Sequence, residues 1–179
     1  MFESLMKSIG LQIARYQFRK EHDTIQPLTN FFSDARNVLI ILPVGYDEAN
    51  LAGEALEAQR NKLGDIHLVV VHSSTRHTSL AVFPKSEIVR LDPPDIDRFF
   101  LPRPSVIQRL PNYQYDVAMD LNLDFVLHSA YICKASHARV RVGFSHPNAD
   151  LFYNVQLQFG EPRTPQAMYD KFVNCLSMF

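Results

Sequence analysis

Residues 36–63 read R-N-V-L-I-I-L-P-V-G-Y-D-E-A-N-L-A-G-E-A-L-E-A-Q-R-N-K-L, and the period of the apolar residues changes halfway through. Val38, Leu39, Ile40, Ile41 and Leu42 form an unbroken aliphatic run that stops at Pro43 and Gly45, as a strand buried on both faces should. Beyond it Leu51, Ala52, Ala55, Leu56, Gln59 and Leu63 recur at helical spacing, which predicts a helix over residues 47–63. Asp47 and Glu48 then fall in its first turn, where the helix dipole favours acids. This is a strand-to-helix step, the repeating unit of a parallel sheet.

The rest of the chain repeats the step. Residues 67–71, 87–91 and 117–121 are further short apolar runs, residues 124–135 have helical spacing, and residues 139–144 read as a fifth strand. There Val140, Val142 and Phe144 alternate with Arg139, Arg141 and Gly143, the pattern of a half-exposed edge strand. Prolines at 93, 94, 102, 104 and 111 mark a long irregular connection with room for a short helix at residues 104–110. Residues 164–178 carry Met168, Phe172, Val173 and Leu176 at helical spacing, a closing helix. At the other end Phe2, Leu5, Met6, Ile9, Ile13 and Tyr16 form one apolar stripe of a helix, with Leu11 and Phe18 on its opposite side. The expectation is an N-terminal helix and linker over residues 1–30 and one Rossmann-like domain over residues 31–179. Its sheet should be doubly wound and mainly parallel, in the order 3-2-1-4-5 with right-handed crossovers. Ligands of such sheets sit beyond the carboxyl ends of the strands.

With 179 residues, 46% hydrophobic and 21% charged, the chain has the balance of a folded domain rather than a disordered one. A formal net charge of −1 supplies no field for nucleic acid or anionic lipid, so a nucleic-acid partner is not expected. Cys133 and Cys175 lie far apart and form no C-x-x-C pair, which speaks against a disulfide scaffold or zinc ribbon and for a reducing, cytoplasmic setting. No apolar run has the length of a membrane span or of a signal-peptide core.

Standard chemical motifs are missing from the sheet's carboxyl-end loops. The turn P-V-G-Y-D-E-A-N has one glycine and two acids where a dinucleotide site needs close backbone approach and no negative charge. There is no phosphate-binding G-x-x-x-x-G-K-[ST], no G-x-S-x-G elbow, and the spacing of His72 and His77 matches no zinc site. Neither a metal nor another cofactor is expected. The polar loop H-S-S-T-R-H-T offers Arg76 as a phosphate ligand, since a guanidinium matches phosphate oxygens in pairs. Asp120 and Asn122 end a central strand, and His146 follows the fifth strand; each is a candidate ligand contact. Each also has a bland reading, as a cap, a turn residue or a loop acceptor. Cys133, inside the helical core pattern, reads as a buried thiol.

Residues 115–145, Y-D-V-A-M-D-L-N-L-D-F-V-L-H-S-A-Y-I-C-K-A-S-H-A-R-V-R-V-G-F-S, resemble the N-terminal half of the lipopolysaccharide heptosyltransferases, glycosyltransferase family 9. Asp116, Asp120, Leu121, Ser129, Ala130, Ala138, Arg141, Gly143 and Phe144 match the family's Y-D-x-x-I-D-L, S-A and G-A-[KR]-x-R-x-G-F elements in order. Residues 38–60 resemble its opening strand and helix more faintly. The resemblance implies one half of a glycosyltransferase B-type fold, preceded by an extra helix. It places Asp47 and Glu48 where the family has Gly-Asp, whose acid is the proposed base toward the acceptor sugar, so Glu48 inherits that role with its glycine replaced. The family binds its nucleotide-sugar donor mainly through a second domain. The implied function is a stand-alone heptosyltransferase-like domain, non-catalytic as it stands, holding a glycan, sugar phosphate or protein partner. Two alternatives are a transferase subunit whose donor domain comes from another chain and an unrelated Rossmann-like small-ligand binder. Surplus apolar residues on the two ends, among them Leu11, Phe18, Met178 and Phe179, suggest a homodimer or hetero-complex.

Overall fold

The computed structural model describes residues 2–21, 31–57, 66–73, 86–160 and 164–176. Six strands form one sheet: β1 (Asn37–Ile41), β2 (His67–Ser73), β3 (Glu87–Leu91), β4 (Val117–Asp120), β5 (Val140–Phe144) and β6 (Val155–Leu157). Their order is β3-β2-β1-β4-β5-β6, and every pairing is parallel. The expected 3-2-1-4-5 order therefore holds, with one strand added beyond the fifth. Register follows from the aliphatic runs: Val38 to Ile41 lie beside Leu68 to Val71 on one side and beside Val117 to Asp120 on the other.

Alternate residues of each central strand feed two separate cores. Val38 and Ile40 pack with α2 (Tyr46–Glu57) and α5 (Pro165–Leu176), whereas Leu39 and Ile41 face α1 (Phe2–Phe18), α3 (Pro104–Arg109) and α4 (Leu127–Ala135). The closing helix is where the sequence placed it, with Tyr169, Phe172, Val173 and Leu176 buried against the first core. At about 1.5–3 kcal/mol for each large apolar side chain fully removed from water, this face accounts for the attachment of α5. Of the helix expected over residues 47–63, α2 covers the part up to Glu57, and residues 58–63 lie outside the described chain.

Two expectations fail. First, β5 is neither half exposed nor at an edge: all five of its residues are buried, and β6 pairs beyond it. Arg141 misled the alternation. Its guanidinium is buried because Nε donates to the Phe152 carbonyl and Nη1 to the Ala138 carbonyl, each at 2.9 Å. Gly143 reads as a polar-side gap in the pattern, yet an added Cβ there would stand 2.5 Å from the Tyr153 ring. The missing side chain is the space that ring occupies.

Second, α1 docks through a different face from its apolar stripe. Gly10, Ala14 and Phe18 are the buried residues, with Leu11 and Ile13 partly covered. Phe2, Leu5 and Tyr16 are 75%, 55% and 67% exposed. Small residues carry little hydrophobic signal, but they let two backbones approach. A Cβ at Gly10 would lie 2.0 Å from the Phe99 carbonyl oxygen and 3.0 Å from Leu127. Phe18 therefore belongs to the core and Leu11 is partly buried against it, while Met178 and Phe179 lie outside the described residues.

The two faces make opposite demands on mutation. Gly10→Ala should raise helix propensity by about 1 kcal/mol if the position were free. Against the Phe99 carbonyl it should instead destabilise by about 1–3 kcal/mol, as overpacking does. Tyr16→Ala should change stability by no more than about 0.5 kcal/mol, as surface substitutions do. Urea midpoints of the two variants check the assignment; a larger loss for Tyr16→Ala would return the buried face to the apolar stripe.

Candidate functional site

The carboxyl ends of β1, β2, β3 and β4 and the described loops after β1, β3 and β4 form one rim of the sheet, where the candidate residues among them concentrate. At its centre Asp120, the last residue of β4, is buried and fully engaged. Its Oδ1 accepts from the Asn122 amide (3.1 Å) and Nδ2 (2.7 Å), and its Oδ2 accepts from the Tyr153 hydroxyl (2.7 Å). Asn122 in turn accepts from the Val44 amide at 2.9 Å, which fixes the loop after β1. Burial drives the Asp120 carboxyl up to about 6, and the bonds from Asn122 and Tyr153 pull the other way. Tyr153 is pushed well up from the ordinary phenol range by burial and by that carboxylate. Asp120 and Asn122 thus hold the rim together from below it.

The acids predicted from the first turn of α2 are on the rim itself. Asp47 is exposed and Glu48 partly buried, and among the described residues neither carboxylate makes a hydrogen bond. The Gly45 carbonyl opens the helix, accepting from Ala49 at 2.9 Å. Glu48 is raised above the usual carboxylate range by burial first and by the Asp124 carboxylate second. Partial desolvation and a neighbouring carboxylate both disfavour its charged form. Tyr169 of α5, whose hydroxyl donates to the Leu121 carbonyl at 3.1 Å, is raised by burial first and then by the Glu48 and Asp120 carboxylates.

His146 stands apart from these acids. It is exposed, its ring stacks on Phe125 at 4.9 Å and 11°, and its Nδ1 accepts from the Asn148 amide at 3.2 Å. Arg76 and His77 lie outside the described residues. Cys133 is buried with Sγ 3.8 Å from the Ala118 carbonyl, and burial raises its thiol well above the ordinary value, so it is an inert core group. Among the described residues no group of three or more His, Cys, Asp and Glu is placed to hold a metal ion, and no helix is long and apolar enough to cross a membrane.

Reading the sequence did not find Tyr153, Tyr169, His128 or the basic residues of α1 that reach the rim. The first two are aromatic residues outside any motif; a glycine in mid-strand, as at Gly143, was the available sign of an overlying ring. Lys7 and Arg15 could not be placed because the docking face of α1 was misassigned.

A parallel six-stranded sheet with β1 and β4 at its switch point, flanked by helices on both faces, is a Rossmann-like α/β architecture. Among solved structures the fold is that of glycosyltransferase family 9 heptosyltransferases. The E. coli heptosyltransferase WaaC with ADP superposes with a TM-score of 0.60 at 15% identity, over 78% of this chain and 46% of that one. WaaC with ADP-2-deoxy-2-fluoro heptose gives 0.59 at 16% identity, over 78% and 47%. The Veillonella parvula family 9 glycosyl transferase gives 0.63 at 16% identity, over 80% and 42%. The chain spans less than half the length of each of these structures. No protein-family model and no curated protein matches the sequence.

The raised Asp120 carboxyl has a defined thermodynamic sign. Its pKa in the folded chain, about 6, exceeds the ordinary 3.8, so the folded state holds the proton more tightly. The associated stability is complete below about pH 4, declines as pH rises through 6, and is constant above; the change is on the order of 3 kcal/mol. Asp120→Asn removes this titration while keeping the shape. The difference in urea midpoint between variant and parent should therefore shift in the variant's favour from pH 4 to pH 6.5 and level off by pH 8. A difference independent of pH would show that Asp120 does not titrate there.

Proposed function

We propose that these residues form the acceptor-side half of a family 9-like glycosyltransferase architecture, holding a glycan or sugar phosphate at the carboxyl rim of the sheet. On this reading Glu48 and Asp47 face the saccharide hydroxyls, His146 contacts the ligand from beyond β5, and Asp120 and Asn122 position the loop after β1 that leads into Asp47 and Glu48, while Arg76 is carried as a phosphate ligand on the sequence alone, outside the described residues. The observation that supports it most directly is Glu48: a desolvated carboxyl beside Asp124, at the start of the helix that follows β1. That is the position where the sequence resemblance puts a base toward the acceptor. A carboxylate there can accept a hydrogen bond from a sugar hydroxyl and, in a complete site, its proton.

These 179 residues by themselves carry no sugar transfer on this reading, because the neighbouring structures that bind ADP or an ADP-sugar analogue are more than twice the length matched here. A second reading, raised by the sequence resemblance, is that transfer appears when a donor-binding half is supplied by another polypeptide.

Two measurements test this. The purified chain should release no ADP from ADP-heptose, and its Glu48→Gln variant should bind immobilised acceptor saccharides about tenfold more weakly than the parent, a loss of one well-placed charged hydrogen bond. Its melting temperature should stay within about a degree, as for a surface change. ADP release by the pure chain would overturn the non-catalytic reading. Equal losses of stability and binding would make Glu48 a structural acid.

A further inference from the structure

A cleft of about 640 Å³ opens where α1 meets the carboxyl rim, walled by Lys7 and Arg15 of α1 and by Val126, Leu127 and His128 at the start of α4. Val126 gives α4 no side-chain cap, and the first turn has no acid. The positive end of the helix therefore faces the cleft without a neutralising group. A second, smaller cleft of about 270 Å³ adjoins it, and Val44, Phe100 and His128 belong to both.

Two buried polar side chains on the walls of the smaller cleft lack partners. Ser129, in the first turn of α4, is 0% exposed, and its Oγ makes no hydrogen bond. His72, 5% exposed, places Nδ1 3.0 Å from the Ser73 carbonyl; Nδ1 then carries the proton and Nε2 is an acceptor with nothing to accept. Buried polar atoms are nearly always paired, so two orphans lining one cleft point to an outside partner. The remaining wall is mostly aliphatic, including Ile41, Val71 and Leu91. Phe100, between the clefts, is held at φ 62, a strained conformation for so large a residue, with the Lys7 ammonium 4.8 Å from its ring centre.

We propose that the two clefts together bind a ring-bearing phosphate ester. Its phosphate lies between the α4 N-terminus, Lys7 and Arg15. Its ring enters the smaller cleft, where an edge hydroxyl or N–H donates to His72 Nε2 and a second edge atom bonds Ser129 Oγ. Glu3, which pairs with Lys7 at 2.8 Å, is displaced at little cost because that pair is largely solvated. The site rests on the reading of the carboxyl rim as the ligand-bearing face, and it does not need Glu48 or Asp47.

Calorimetric titration of the whole chain with inorganic phosphate, ribose 5-phosphate, AMP, ribose and adenosine tests it. At least one ester should bind about tenfold or more tightly than both inorganic phosphate and its own dephosphorylated form. AMP and ribose 5-phosphate distinguish a heterocycle from a sugar as the ring. Lys7→Met with Arg15→Met should weaken the ester about tenfold or more, whereas Arg19→Met with Lys20→Met, in the turn just after that helix and outside the cleft lining, should not. Ser129→Ala should weaken the ester and leave inorganic phosphate unchanged. The proposal is overturned if neither ester outbinds phosphate, if both double variants act equally, or if Ser129→Ala has no effect on the ester in a folded protein. Ester binding that survives Glu48→Gln while saccharide binding never appears would sink the saccharide reading and leave this one standing.

Discussion

Much of the rim depends on one buried carboxylate. Asp120 ends β4 at the centre of the sheet, and three separate pieces of chain are fastened to it: the β4 loop through Asn122, the β1 loop through the Asn122 bond to Val44, and the crossover before β6 through Tyr153. The last of these is possible only because Gly143 leaves room for the Tyr153 ring. Charge buried without partners would cost more than the fold can spare, so the same bonds that satisfy Asp120 set the geometry of everything above it.

Asp120 also explains what the sequence motif encodes. Of its polar residues, Asp116 accepts from the Arg36 and Asn37 amides at the start of β1, Asp120 ties the rim, and Arg141 closes onto the Ala138 and Phe152 carbonyls. These are scaffold contacts within this fold. Ser129 is the exception in the motif: it has no partner within the fold. A resemblance carried by scaffold residues supports architecture firmly and chemistry only through what the scaffold leaves open.

Strand order, the helix after β1 and the closing helix were legible because long aliphatic runs and 3.6-residue spacing are direct images of burial. The errors have one cause in common, which is that hydropathy ignores close approach and satisfied charge. Arg141 counted as solvent-facing although its Nε and Nη1 donate to the Phe152 and Ala138 carbonyls inside the fold, which hid the true place of β5. Gly10 and Ala14 counted as weak although they carry the α1 contact. β6, three residues of intermediate burial, has too little pattern to read. For the site, Asp120 and Asn122 were found as positions but not as parts of the scaffold, since a carboxylate's partners are set by tertiary contacts up to 33 residues away.

The corrected position of α1 changes the electrostatics of the rim. With α1 docked through Gly10 and Ala14, Lys7 and Arg15 stand over the uncapped start of α4, on the side of the sheet covered by the second core. On the other side Glu48 and Asp124 crowd two acids at the start of α2, against Tyr169 of α5. The rim therefore has a basic end and an acidic end, separated by the loop that Asn122 holds at Val44. An overall charge of −1 conceals this polarity completely. A ligand with a phosphate at one end and free hydroxyls at the other is matched by such a field in only one orientation. Orientation is what a surface of near-zero net charge can still impose, because local fields in a cleft are screened far less than those over open surface.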